Sequence, residues 1–392
     1  MEIKVNVNRL IVVVISLMIY FCAMVAVSYA LYQVGAESSG EILVEVYNPE
    51  DVSFVHEIYG QKFSDRITTW DLSDIEVDDK ITSYVKYFTN LKIVDFGNQK
   101  IDDDILKQLI DENPKIEFRY RIYIENKSYS SLISHLDLAK SKIKDYDELI
   151  KKMELLPNLK SADFSNSNLS NEQLGHLREL FPVMEIHWIV HLGRWSVKTD
   201  AVSFSVLIYA YDYKRMTSKD IEVLKYCTKL QALDLGHQAI TDISVIGEYL
   251  KDLRILILAD NRISDITPIK ELKHLHYLEL FINPISDITP LNDLKGLVDV
   301  NFCYCWNIND YSTLKNLPNL ERIWLVGTRI NGNVVNELRS VHPNAQIVNT
   351  GAGSTNSGWR THERYYEMIK MYRNPYYLSK SFTKYDVLTM EE

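Results

Sequence analysis

The chain has 392 residues, 46% of them hydrophobic, enough to bury a sizeable core. Its 53 acidic residues outnumber 43 basic ones, for a formal charge of −10. That balance argues against a general nucleic-acid binder, which needs clustered Lys and Arg to neutralise phosphates, and favours cationic partners.

Residues 10–32, LIVVVISLMIYFCAMVAVSYALY, run 23 positions without a charge. At about 1.5 Å per residue such a helix crosses a hydrocarbon core of about 30 Å, so the run predicts one transmembrane helix. Lys4 and Arg9 precede it and Glu37, Glu41 and Glu45 follow. The positive-inside rule then leaves residues 1–9 as a short cytoplasmic tail and exports the remainder. The rival reading is a cleaved signal peptide, for which Ser28-Tyr29-Ala30 and Val34-Gly35-Ala36 offer small residues at cleavage spacing. The run, however, exceeds the roughly 7 to 15 residues of an h-region. Outside it stand Cys227, Cys303 and Cys305, an odd and sparse set that makes no disulfide framework.

Residues 33–64 read as a capping segment. From there, apolar strand starts recur at Ile67, Leu91, Ile133, Leu159, Leu230, Leu253, Leu275, Leu297 and Leu320, with a weaker one at Phe204. Residues 65–203 form the long-repeat part. Each long repeat ends in an alternating run, IEFRYRIYIE (116–125) and MEIHWIVHLGRWSV (184–197), which predicts an extra strand or hairpin. DDDILKQLIDENP (102–114) and SNEQLGHLRELFP (170–182) have helical spacing and stop at proline. Residues 204–350 hold short repeats of 22 or 23 residues, among them LRILILADNRISDIT and LHYLELFINPISDIT. Self-similarity at this period predicts an α/β leucine-rich-repeat solenoid, a curved right-handed superhelix with a parallel sheet on its concave face.

Residues 351–358, GAGSTNSG, read by composition as a linker. The aromatic tail of residues 359–392 follows, where Trp359, His362, Tyr366, Ile369 and Tyr372 fall on one expected helix face, as a cap on the last repeat or as a partner-binding arm.

Strand alternation sends the third, fifth, seventh and eighth residues of each unit to the concave face. The fifth position presents an acidic column, Asp71, Asp95, Asp137, Asp163 and Asp234, followed in later units by Ile257, Glu279, Asn301 and Trp324. The later half gathers Tyr277, Glu279, Phe281, Asp299, Tyr304, Arg322 and Trp324, an aromatic and arginine mixture typical of interface anchors. Gln99, Gln238, Asn261 and Asn283, with Cys305 next, fall where an amide ladder satisfies backbone groups between turns. No nucleotide-loop, hydrolase or zinc-protease motif occurs, and His187 and His191 sit on a strand, too far apart to share an ion. The expectation is a protein without catalytic residues, metal or cofactor.

NRISDITPIKELKHLHYLEL and NPISDITPLNDLKGL resemble internalin-type repeats of bacterial surface proteins, over roughly residues 226 to 345. SNEQLGHLRELFPVMEIHWIV is similar to longer-repeat relatives in exported proteins of Gram-positive bacteria. The resemblance implies extracytoplasmic placement and recognition of a protein or cell-wall ligand. No LPXTG-like sorting signal follows the repeats, a departure from wall-attached members.

Overall fold

The computed structural model describes residues 54–206 and 214–383, so the expected membrane helix and most of the capping segment lie outside the described residues. Among the described residues no helix is long and apolar enough to cross a membrane. The chain divides after Arg121 into two compact units.

In the first unit, a hairpin of β1 (Val55–Ile58) and β2 (Gln61–Ser64) precedes three parallel strands, β3 (Thr69–Asp71), β4 (Ile93–Asp95) and β5 (Glu117–Arg119). Trp70, Val94 and Phe118 are the buried centres of these strands. Phe63 of the hairpin meets Trp70 edge-on at 5.5 Å, so the described end of the capping segment covers the first strand's core residue. The helix Asp103–Glu112 starts where the Asp102 carboxylate accepts from the Asp104 and Ile105 amides and stops at Asn113, just before Pro114.

The second unit opens at the hairpin of β6 (Arg121–Ile124) and β7 (Lys127–Ser130). Parallel strands β8 (His135–Asp137), β9 (Ser161–Asp163) and β10 (Glu185–His187) form one sheet, followed by the hairpin β11 (Ile189–Leu192) and β12 (Trp195–Lys198). Each run read as an extra strand or hairpin therefore gives both, a final parallel strand and part or all of an antiparallel hairpin. Seven parallel strands complete the unit: β13 (Ser203–Ser205), β14 (Ala232–Asp234), β15 (Ile255–Ile257), β16 (Tyr277–Glu279), β17 (Asp299–Asn301), β18 (Arg322–Trp324) and β19 (Gln346–Val348). The short repeats return through tight 3₁₀ turns at Thr267–Glu271 and Thr289–Leu291, each with proline in its first turn.

Because the β11–β12 hairpin intervenes, β10 and β13 are not paired, and Arg178 fills the break. Its guanidinium donates to the Ile186 carbonyl at 2.8 and 3.0 Å, to the Tyr226 carbonyl at 2.7 Å and to Thr199 Oγ1 at 2.9 Å. It also lies 4.3 Å from the centre of the Trp188 ring. The backbone acceptor on the edge of β10 is thus satisfied by a side chain from the helix Asn171–Leu180, itself started by the Ser170–Gln173 capping box.

The ladder forms as expected. Gln99 donates to the Leu72 carbonyl at 2.6 Å, Asn261 to Leu235 at 2.9 Å, Asn283 to Leu258 at 2.9 Å, and the Cys305 thiol to Leu280 at 3.3 Å. The Gln238 side-chain oxygen accepts from the Met216 amide at 2.9 Å. After each strand one residue turns left-handed, His237, Asp260, Ile282 and Tyr304 at φ of 60, 50, 56 and 58°, and hands its amide to a carbonyl of the following turn. In the next unit Gly327 takes this place at φ 72°, where a Cβ would lie 2.3 Å from the Tyr304 ring.

Candidate recognition faces of the repeats

The strand register places the fifth-position residues side by side. Asp71 pairs with Asp95, Asp137 with Asp163, and Asp234, Ile257, Glu279, Asn301 and Trp324 succeed one another across β14 to β18. Tyr277, Asp299 and Arg322 form the third-position row beside them.

The acidic residues do not make one column, because they fall on three separate sheets. Arg119 sits beside Asp95 and His187 beside Asp163, so each pair of carboxylates ends at a basic or titratable neighbour. All five share a local task. Each accepts from the amide two residues on, at Ser73, Gly97, Ala139, Ser165 and Gly236, over 2.8 to 3.0 Å. This carboxylate-to-amide bond closes the turn at the strand end, and Asn301 does the same for Cys303 at 3.1 Å. Asp71 is held below the usual carboxylate range by the Ser73 hydroxyl and amide. Burial acts to raise Asp163, but Lys198 at 2.8 Å and Ser165 outweigh it and hold this carboxyl low. Asp234 is the exception: burial pushes it up to about 6.

The aromatic patch forms, but it is not an exposed anchor. Tyr277, Glu279, Asp299 and Trp324 are completely buried, and Phe281 and Arg322 nearly so, because the C-terminal segment lies on them. Tyr304 is half-buried and accepts from the Gly353 amide. Trp359 stacks obliquely between Tyr277 and Trp324 at 5.4 and 5.0 Å and donates to Glu279 at 2.9 Å. Arg360 grips both oxygens of Glu279 at 2.6 and 2.7 Å. Asp299 is clasped between two guanidinium groups: Arg322 of β18 bonds it at 2.9 and 2.5 Å, Arg364 of the tail at 2.8 and 2.7 Å. Arg364 also reaches Glu321 at the exposed edge, so three arginines face three carboxylates across the tail interface.

The tail helix, Glu363–Arg373, buries only part of the expected face: Trp359 before it and Tyr372 within it are buried, but its other inward residues are not the expected ones. Arg364, Met368, Met371 and Tyr372 point at the sheet, whereas Tyr366 is exposed and His362 caps the helix by accepting from the Arg364 amide. The spacing of aromatics misassigned part of the face because arginine, paired with sheet carboxylates, serves as an inward residue here. Residues 351–358 are likewise no slack linker. The Ser354 carbonyl accepts from Asn301 at 2.8 Å, Asn356 from Trp324 at 3.0 Å and Ser357 from Gln346 at 3.0 Å. Beyond the helix the Pro375 carbonyl takes the Val202 and Ser203 amides at 2.7 and 3.2 Å, closing the open edge of β13.

Burial patterns record the contrast between the two parts. The outward residues of β3 and β8, Thr69, Asp71, His135 and Asp137, are exposed around one buried centre, while all residues of β14 to β18 are buried. Sequence reasoning missed Arg178, Arg360 and Arg364. The available signal was the pair of carboxylates, Glu279 and Asp299, among the aromatic side chains Tyr277, Phe281 and Trp324, with Arg322 as the one cation of that patch. Cys303 lies under the tail and Cys305 in the ladder, both thiols pushed up to about 12 by burial. His187 ends β10 and His191 lies in β11.

Stacked parallel strands, tight returns and an amide ladder define the leucine-rich-repeat class of fold. Residues 251–293 match the family model for leucine-rich repeats in two copies. Among solved structures the chain is similar to internalin C2 of Listeria monocytogenes, at 19% identity over 64% of this chain and 84% of that one, with a TM-score of 0.31. A second Listeria monocytogenes internalin, inlF, is similar at 19% identity over 78% and 89%, with a TM-score of 0.28. A leucine-rich-repeat protein of Leptospira interrogans is similar at 17% identity over 72% and 75%, with a TM-score of 0.34. No curated protein matches the sequence.

Proposed function

We propose that this is a non-catalytic recognition protein, held at a cell membrane by residues 10–32 with its repeats outside the cytoplasm. Its ligand is a cationic protein or cell-envelope component bound on the open faces of the long repeats. The observation that carries this reading is the difference in occupancy: Asp71 and Asp137 are exposed on their strands, whereas the aromatic patch is filled by the chain's own tail. A surface already serving as core contributes stability, and the face left open offers carboxylates in register to a basic partner. The uncharged run and the basic residues before it support the membrane placement.

Protease shaving of intact cells, with the mass of the membrane-bound remnant determined, tests the placement. The repeats should be removed and an uncleaved amino terminus retained; repeats protected until lysis would overturn it. For a ligand captured on the shaved-off surface, Asp71→Asn with Asp95→Asn, the carboxylates in register in the first unit, should weaken binding at low salt by about tenfold, near 1.4 kcal/mol, and flatten its salt dependence. Equal affinity and salt slope in the double variant would move the site elsewhere.

A further inference from the structure

Where the tail helix crosses β13 to β15 it roofs a cavity of about 260 Å³. Asp234 and Ile257 lie on the sheet side, and Tyr365, Met368, Ile369 and Tyr372 on the helix side. The Asp234 carboxylate is 2% exposed and accepts from the Gly236 amide at 3.0 Å and from Ser205 Oγ at 2.9 Å. Among the described residues no cation ion-pairs with it, since Arg360 on the cavity wall is committed to both oxygens of Glu279 and Arg373 is exposed at the rim. Among the described residues the Tyr372 hydroxyl, buried beside the cavity, has no hydrogen-bond partner. This differs from the neighbouring charges, each of which has its counterion within the tail interface.

A carboxylate out of water whose nearby cation, Arg360, is bonded to Glu279 and offsets its charge only from a distance is a costly group in such an interface, and a cation placed directly against it recovers the lost solvation. With a pKa raised to about 6 it is ionised at neutral pH and accepts hydrogen bonds only. Besides Ser205, Arg360 and Arg373, the lining is apolar or aromatic, and with Arg360 bonded to Glu279 and Arg373 exposed at the rim the aromatic faces of Tyr365 and Tyr372 favour a cation as well. The volume is below the about 300–1,000 Å³ of sites for drug-sized ligands, which restricts the occupant to a small group.

We propose that this cavity binds a small apolar ammonium group, an alkylamine or the end of a lysine side chain, with its N–H groups on Asp234 and its alkyl stem against Ile257, Met368 and Ile369. The site is separate from the open long-repeat faces and uses none of their residues, so either assignment can fail alone.

Thermal unfolding of the full chain in a non-ionic detergent, titrated at constant ionic strength with n-butylammonium, capped lysine, butyrate or 1-butanol, tests it. Butylammonium should raise Tm saturably, while butyrate and butanol should not. A matching rise with capped lysine identifies the source as a protein side chain, and a rise with butylammonium alone identifies it as a free amine. Asp234→Asn should weaken the apparent affinity at least about tenfold, and Ile369→Trp, which fills the cavity from the helix side with the carboxylate left in place, should do the same. The assignment is overturned by the absence of any saturable shift, by equal shifts with butyrate or butanol, or by a shift retained in both variants.

Discussion

Asp234 has the same backbone role as the other strand-end aspartates but a different environment, and its pH behaviour follows from that. In the unfolded chain its pKa is near 3.9. In the folded chain burial raises it to about 6. Below about pH 4 both states are protonated and the group has no effect on stability. Between about pH 4 and 6 the folded state holds the extra proton, so stability falls as pH rises, and above 6 the full cost is present. Asp234→Asn keeps an acceptor for the Gly236 amide and removes the charge, so it should stabilise the protein at pH 7 by on the order of 1–3 kcal/mol. Denaturant unfolding of both proteins at pH 4 and pH 7 checks this: the gap should appear only at the higher pH, and an equal gap at both would show that burial of the charge is not the cause.

At the scale of elements, the tail behaves as the missing layer of the short-repeat sheet. Every residue of strands β14 to β18 is buried, and the face under the tail mixes apolar side chains such as Ile255, Ile257, Tyr277 and Trp324 with Asp299, Asn301 and Arg322. The tail supplies Trp359, Met368, Met371 and Phe382 to that face and fixes the angle of approach with its arginines. Arg364→Ala should cost about 3–5 kcal/mol, because it strips Asp299 of one of its two guanidinium partners and leaves a cavity under the helix. Urea titration measures the loss, and a cost under about 0.5 kcal/mol would mean that the helix does not sit on the sheet in solution.

For the molecule as a whole, the docked tail ties the C terminus to strands distant in sequence. Ser203 donates to the Met371 carbonyl at 2.7 Å, joining the first strand of the seven-stranded sheet to the tail helix. Repeats alone contact only their neighbours, and their stability is nearly a sum of local terms. A segment bonded to β13, β16, β17 and β18 together couples them. Native-state hydrogen exchange should therefore give the amides of Tyr365 to Tyr372 opening free energies like those of β14 to β18, and fast exchange in the tail with slow exchange in the sheet would refute the coupling.

The repeat period, the strand starts, the helices that begin after Asp102 and Ser170 and stop before proline, and the amide ladder were legible in the sequence, because each depends on residues within one or two units. The inserted runs of residues 116–125 and 184–197 were legible as strands, but the break they create and the arginine that bridges it were not. The fifth-position residues lie side by side within each sheet, but the single acidic column read from the spacing is split over three sheets, and the burial of the later rows was not legible. Sequence periodicity says which way a side chain points and not what lies above it, so Tyr277 and Trp324 looked like an exposed anchor. Local pattern by itself determined the repeats, while only the tertiary structure decided that residues 351–383 fold back over them. That return brings Arg360 and Arg364 onto carboxylates 81 and 65 residues away, a match that depends on three-dimensional charge pairing and not on spacing along the chain.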